Sequence, residues 1–166
     1  MRFGFSRSAA EVAALAVLFC LQPLLSAQGP FGAPSENSAF SIPQAQLIQP
    51  SELNSALGAA GAEKPIVLQV GSRVLFAQAH IAGSEYAGAG SQPEGLQQLE
   101  KRVSRLPRQT PIILYCGCCP WNRCPNVGPA FRRLQSLGFT HVKALYIANN
   151  LGTDWVDKGF PVERSR

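Results

Sequence analysis

The chain has 166 residues, 46% of them hydrophobic, and carries a formal net charge of +5. That length suits one domain with a real core. The positive residues are scattered, with no Lys/Arg run and no aromatic interleaving, which excludes the basic stripe of a nucleic-acid binder. Most of these charges read as a solvated surface, mildly favourable to small anionic substrates.

The chain opens with a targeting pattern. Arg2 and Arg7 form a basic start, residues 12–25 are largely apolar but short for a membrane span, and Leu25-Ser26-Ala27 offers a small residue at a cleavage position. Residues 1–27 are therefore expected to be a signal peptide, the alternative being an uncleaved anchor. Cys20 follows Phe19, and a bulky residue there argues against a lipoprotein-type cysteine. Export implies a periplasmic or extracellular compartment that permits disulfides. No stable membrane insertion is expected after cleavage, and the domain is expected to be a monomer. Residues 28–48 read as a flexible linker, rich in Gly, Pro, Ser and Ala to about Ala45, and 49–166 as the folded domain.

Within that domain, residues 50–57 predict a short helix with Pro50 in its first turn. Residues 65–70 predict an apolar strand ending at Gly71. Residues 74–79 are apolar and fit either strand or helix. Residues 79–84 predict a turn leading to a short strand near Tyr86. Leu96, Leu99, Val103 and Leu106 recur at helical spacing, which predicts a helix over 93–106. Residues 112–115 predict a central buried strand. A helix over 129–137 would bury Phe131, Leu134 and Leu137 and expose Arg132 and Arg133, with Asn126 as cap and Gly138 at its end. Residues 142–147 predict another strand, and 154–159 a last short helix or turn. Strands alternate with helices, so the expected class is α/β, a small parallel sheet flanked by helices on both faces. Ligands bind such sheets outside the carboxyl ends of the strands.

Four of the five cysteines fall in one loop, Cys116-Gly-Cys118-Cys119-Pro-Trp-Asn-Arg-Cys124, between the central strand and the following helix. Being local, they would not staple distant segments, so they are assigned to a site. A thiol between a strand end and a helix N-terminus has its thiolate stabilised.

Several segments together resemble the rhodanese family of sulfurtransferases over about residues 49–162. Ala79-His80-Ile81-Ala82-Gly83-Ser84 is similar to the family's His-Ile-x-Gly turn. Leu114-Tyr115-Cys116 is similar to the strand ending in its catalytic cysteine. Leu134-Gln-Ser-Leu-Gly138-Phe139 resembles the helix end after the active loop, and Trp155-Val-Asp-Lys-Gly159-Phe160-Pro161-Val162 the closing segment. The chain departs from the family at Gln69-Val70-Gly71, where an Asp-Val-Arg-like strand end is usual, and in its longer active loop. That loop resembles an exported subgroup with a Cys-Gly-Cys-Cys-Pro sequence.

The resemblance implies a thiosulfate sulfurtransferase-like enzyme working by ping-pong. Cys116 would take sulfur from thiosulfate or another small anionic donor, form a persulfide, and pass it to a thiol or cyanide. Gly117, Cys118, Cys119, Trp121, Asn122 and Arg123 would line the substrate site. Arg123 would attract the donor or departing sulfite, or be a plain surface arginine. Trp121 would line the pocket or close the loop over apolar neighbours. His80 is expected to be a structural turn residue, His141 exposed, and Trp155 core.

Cys118, Cys119 and Cys124 have several readings: a sulfur relay, a redox switch, a soft-metal site, or a local disulfide such as Cys118 to Cys124. Their spacing lacks the two paired C-x2-C knuckles of common zinc sites, so no metal ligand is assigned, and no cofactor is called for. The alternative to an enzyme is a non-catalytic module that binds a soft metal or acts as a redox switch. A cysteine phosphatase or arsenate reductase needs Cys-x5-Arg, and Cys116 to Arg123 is one residue longer.

Overall fold

The computed structural model describes residues 42–61 and 63–165. The expected signal peptide, and the linker up to residue 41, lie outside the described residues. Five strands form one parallel sheet: β1 (Leu47–Ile48), β2 (Ile66–Gln69), β4 (Glu85–Tyr86), β5 (Ile112–Tyr115) and β6 (Val142–Leu145), in the order β1-β6-β5-β2-β4. A separate pair joins β3 (His80–Ile81) to β7 (Val162–Glu163), antiparallel. The central β5 is buried at every position, as its unbroken apolar run requires in a sheet covered on both faces.

Alternate side chains of the central strands point to opposite faces. On one side Leu68, Ile112 and Leu114 pack under α3 (Pro93–Val103) and α4 (Val127–Ser136), with Leu99, Val103, Phe131 and Leu134 facing inward. On the other, Val67, Ile113 and Tyr115 pack with Leu53 of α1 (Pro50–Gly58) and with Trp155, which is fully buried just after α5 (Leu151–Asp154). The Trp155 indole N–H donates to the Pro161 carbonyl at 2.9 Å, so its one polar atom is satisfied.

Three readings from sequence are corrected, and one left open is settled. Ile42 is buried in the core and β1 pairs with β6, so residues 42–48 belong to the domain and not to a linker. The ambiguous segment after Gly71 is a helix, α2 (Arg73–Gln78), started by Ser72, whose hydroxyl accepts from the Leu75 N–H. The central helix ends at Val103, not Leu106. Arg132 and Arg133 are half-buried, not exposed, and the Arg133 Nε donates to Glu100 at 2.7 Å, tying α4 to α3. His80 is held in place, with Nδ1–H donating to the Phe76 carbonyl at 2.8 Å and its ring stacked on Phe76.

Candidate active site

Cys116 is the first residue beyond β5, at the carboxyl edge of the sheet, and is only 4% exposed. The edge is built by β2 and β5 side by side, with Gln69 opposite Tyr115 and the Val70 N–H donating to the Tyr115 carbonyl. The chain then turns at Gly71. A Cβ there would stand 2.7 Å from the Cys116 sulfur, so only glycine lets the strand end run past it. Gln69 fills the position where the family pattern led one to expect an acidic–basic anchor. It is buried, its Nε2 donates to the Cys116 carbonyl at 3.1 Å, and its Oε1 accepts from the Gly71 N–H at 3.2 Å. A neutral amide thus satisfies the loop backbone without a buried charge.

The four loop cysteines are free. The Cys116 and Cys118 sulfurs are 3.0 Å apart, and those of Cys118 and Cys119 are 3.2 Å apart. Cys116, Cys119 and Cys124 also converge, their sulfurs all within 4.8 Å of one another. The Cys118 sulfur thus lies against those of both Cys116 and Cys119.

Asn126 is the residue that sequence reasoning assigned a different job. It precedes α4 but makes no side-chain cap. Its Oδ1 accepts from the Ser91 N–H at 3.0 Å, and its Nδ2 donates to the Cys116 sulfur at 3.3 Å. Gly90 makes that approach possible, because a Cβ there would fall 2.1 Å from the Asn126 carbonyl oxygen. The only signal in the sequence was an Asn downstream of the cysteine loop, which a helix cap explains equally well.

The cluster divides its protons unevenly. Cys118 is lowered to about 6, chiefly because the Cys116 thiol donates to it. Cys124 is lowered to about 7, again first by Cys116 and then by the backbone N–H groups of Asn126 and Val127 at the start of α4. Cys116 is raised, because it donates to both neighbours and is buried. Burial likewise pushes Cys119 up to about 12. The helix terminus thus favours a thiolate at Cys124, whereas the sequence reading put that effect on Cys116.

A cleft of about 350 Å³ opens on Cys116, Gly117 and Cys118, walled by Gln69, Leu75, Gln78, Asn150, Leu151 and Val156. Its walls carry no charged side chain. Cys119 and Trp121 face instead a narrow space of about 10 Å³, shared with Cys116, Gly117 and Cys124. Trp121 is buried there and packs at 5.4 Å from the Tyr146 ring. Asn122 and Arg123 are exposed on the 3-10 turn Trp121–Arg123 and are not among the cleft walls.

A parallel sheet with a cysteine-bearing loop at its carboxyl edge defines an α/β domain built around a thiol site. No family model and no curated protein matches the sequence. Among solved structures, the rhodanese-like domain of an Anabaena protein is similar with a TM-score of 0.53 and 22% identity, covering 72% of this chain and 79% of that one. A Bacillus halodurans protein has a TM-score of 0.55 and 24% identity, covering 71% of this chain and 76% of its own. A rhodanese-like domain protein from Staphylococcus aureus has a TM-score of 0.50 at 12% identity, with 73% and 99% covered. The chain has the rhodanese-like α/β fold. At these identities the likeness is one of fold, and the chemistry rests on the residues of the site.

Proposed function

We propose that this chain is an exported sulfurtransferase that carries sulfane sulfur as a persulfide on Cys116. The observation that carries the reading is the position of the Cys116 sulfur, at the floor of the cleft and 3.0 Å from that of Cys118. Cys118 is the more exposed of the two and stands where a proton relay is needed. As the donor enters, the Cys116 proton leaves to solvent by way of the Cys118 sulfur, which passes it on and does not keep it. The Cys116 sulfur bonds to the outer sulfur of thiosulfate, the sulfur–sulfur bond of the donor breaks, and sulfite leaves with the electron pair. In the second half, a thiolate or cyanide takes the outer sulfur and Cys116 leaves as a thiolate, which regains a proton from solvent by way of Cys118. Asn126 Nδ2 faces the sulfur that carries charge at each stage. With no cation in the walls, the donor is held by amide groups such as those of Gln78 and Asn150.

The test is the intact mass of the reduced, metal-free protein after thiosulfate. A gain of about 32 Da that disappears in Cys116→Ser is the result expected if the thiolate at this position is the nucleophile. No gain in the wild-type protein overturns the reading and leaves a binding or redox module on this fold.

A further inference from the structure

Behind the loop lies a second arrangement, separate from the cleft. The sulfurs of Cys116, Cys119 and Cys124 all lie within 4.8 Å of one another, two of these residues being buried and the third half-buried. With metal–sulfur bonds of ~2.3 Å, three thiolates around one ion stand ~4 Å apart, so a small inward shift completes such a shell. The space between them is about 10 Å³, at the lower limit of what one water needs. Its remaining lining includes the apolar residues Trp121, Val127, Leu145 and Ile147. A single ion bound by sulfur fits this volume, with little room beside it for a water. A trio of soft donors, with no carboxylate or imidazole among them and little room for a fourth ligand, favours a soft ion of low coordination number such as Cu(I).

From this geometry we propose that Cys116, Cys119 and Cys124 form a three-thiolate site for Cu(I). Binding releases the thiol protons to solvent and changes no oxidation state. Asn126 Nδ2, which already donates to the Cys116 sulfur, offsets part of the negative charge that three thiolates bring. Occupation ties up Cys116, so copper and sulfane sulfur compete for one atom. Copper binding itself does not depend on the sulfurtransferase reading.

The experiment is an anaerobic titration of the reduced, metal-free protein with Cu(I) against a chromophoric Cu(I) chelator, followed by X-ray absorption of the loaded protein. The expected result is one retained copper with about three sulfur neighbours at ~2.3 Å. Cys124→Ser and Cys119→Ser should each weaken retention by more than ~100-fold, beyond what losing an outer partner does. Cys118→Ser should retain copper, because its sulfur is not one of the three. Circular dichroism of each variant separates loss of a ligand from loss of the fold. The proposal is overturned if folded wild-type protein retains no copper, or if Cys118→Ser loses as much as Cys124→Ser. These readouts are metal content and coordination, so they stand or fall apart from the thiosulfate mass shift.

Discussion

The side-chain amide of Asn126 donates to the sulfur of Cys116 at 3.3 Å, across ten residues of loop. The other end of the same amide accepts from Ser91, so the donor is aimed and not free to turn away. A fixed N–H directed at a sulfur favours the charged sulfur over the neutral thiol. Asn126→Asp replaces that donor with an acceptor. It is expected to slow persulfide formation at least ~10²-fold, the scale seen when one preorganised donor is removed. Single-turnover mass measurements with thiosulfate check it; an unchanged rate would remove Asn126 from the site.

Cys118 is assigned the relay of the Cys116 proton. Cys118→Ser keeps a small polar side chain but removes the sulfur that takes up the proton and passes it on. The persulfide should still form on Cys116, with a rate lower by ~10² or more, within the range that general-base groups contribute. The same burst experiment, read by peptide mapping, distinguishes the alternatives. Sulfur found on Cys118 in the wild-type protein, with none on Cys116, would make Cys118 the nucleophile instead.

Gly71 is required by space, since an added Cβ would meet both the sulfur and the carbonyl oxygen of Cys116. Gly71→Ala should therefore displace Cys116 while the rest of the sheet persists. A cost of ~1–3 kcal/mol is expected for overpacking of this kind, together with near-complete loss of sulfur uptake. Urea unfolding and the mass assay, run side by side, test both halves of the statement.

The ion pair between Glu85 of β4 and Arg102 of α3 uses both Arg102 Nε and Nη2, each at 2.6 Å from a carboxylate oxygen. The hydrogen bond from Arg102 holds the Glu85 carboxyl below its ordinary 4.5, outweighing burial, which acts the other way. A depressed carboxyl contributes stability above its unfolded pKa and loses it as pH falls through the folded one. Both groups are partly solvated, so the contribution at neutral pH is at most ~1 kcal/mol. Wild type should exceed Glu85→Gln by that margin at pH 7, and the gap should close as pH falls below about 4.5. Denaturant midpoints at pH 7, 5, 4 and 3 measure it. A gap independent of pH would assign the effect to packing of the Arg102 stem.

Much of the architecture was legible because it depends on local pattern. Residues 112–115 form an unbroken apolar run, and a strand buried on both faces needs one. Leu96, Leu99 and Val103 recur at helical spacing, and the helix they predicted forms one wall of the core. The rhodanese-like pattern rested on ordered short motifs, and His80 and Trp155 occupy the structural positions expected of them. Ile42–Ile48 was misread because its neighbours are linker-like in composition, while its order comes from pairing with β6, nearly a hundred residues away in sequence.

By itself the sequence determined the fold class, the strand that ends at Cys116 and the concentration of thiols in one loop, since these follow from periodicity and from covalent order. Tertiary structure alone decided how those thiols are arranged. The path of the loop brings Cys116, Cys119 and Cys124 together and leaves Cys118 facing the cleft, a distinction their spacing does not encode. It leaves Arg123 on the surface and turns Asn126 from a cap into a partner of sulfur. The physical reason is that Ser91 and Gly90 arrive from a distant segment to hold Asn126, and a hydrogen bond between residues so far apart exists only after the sheet has formed.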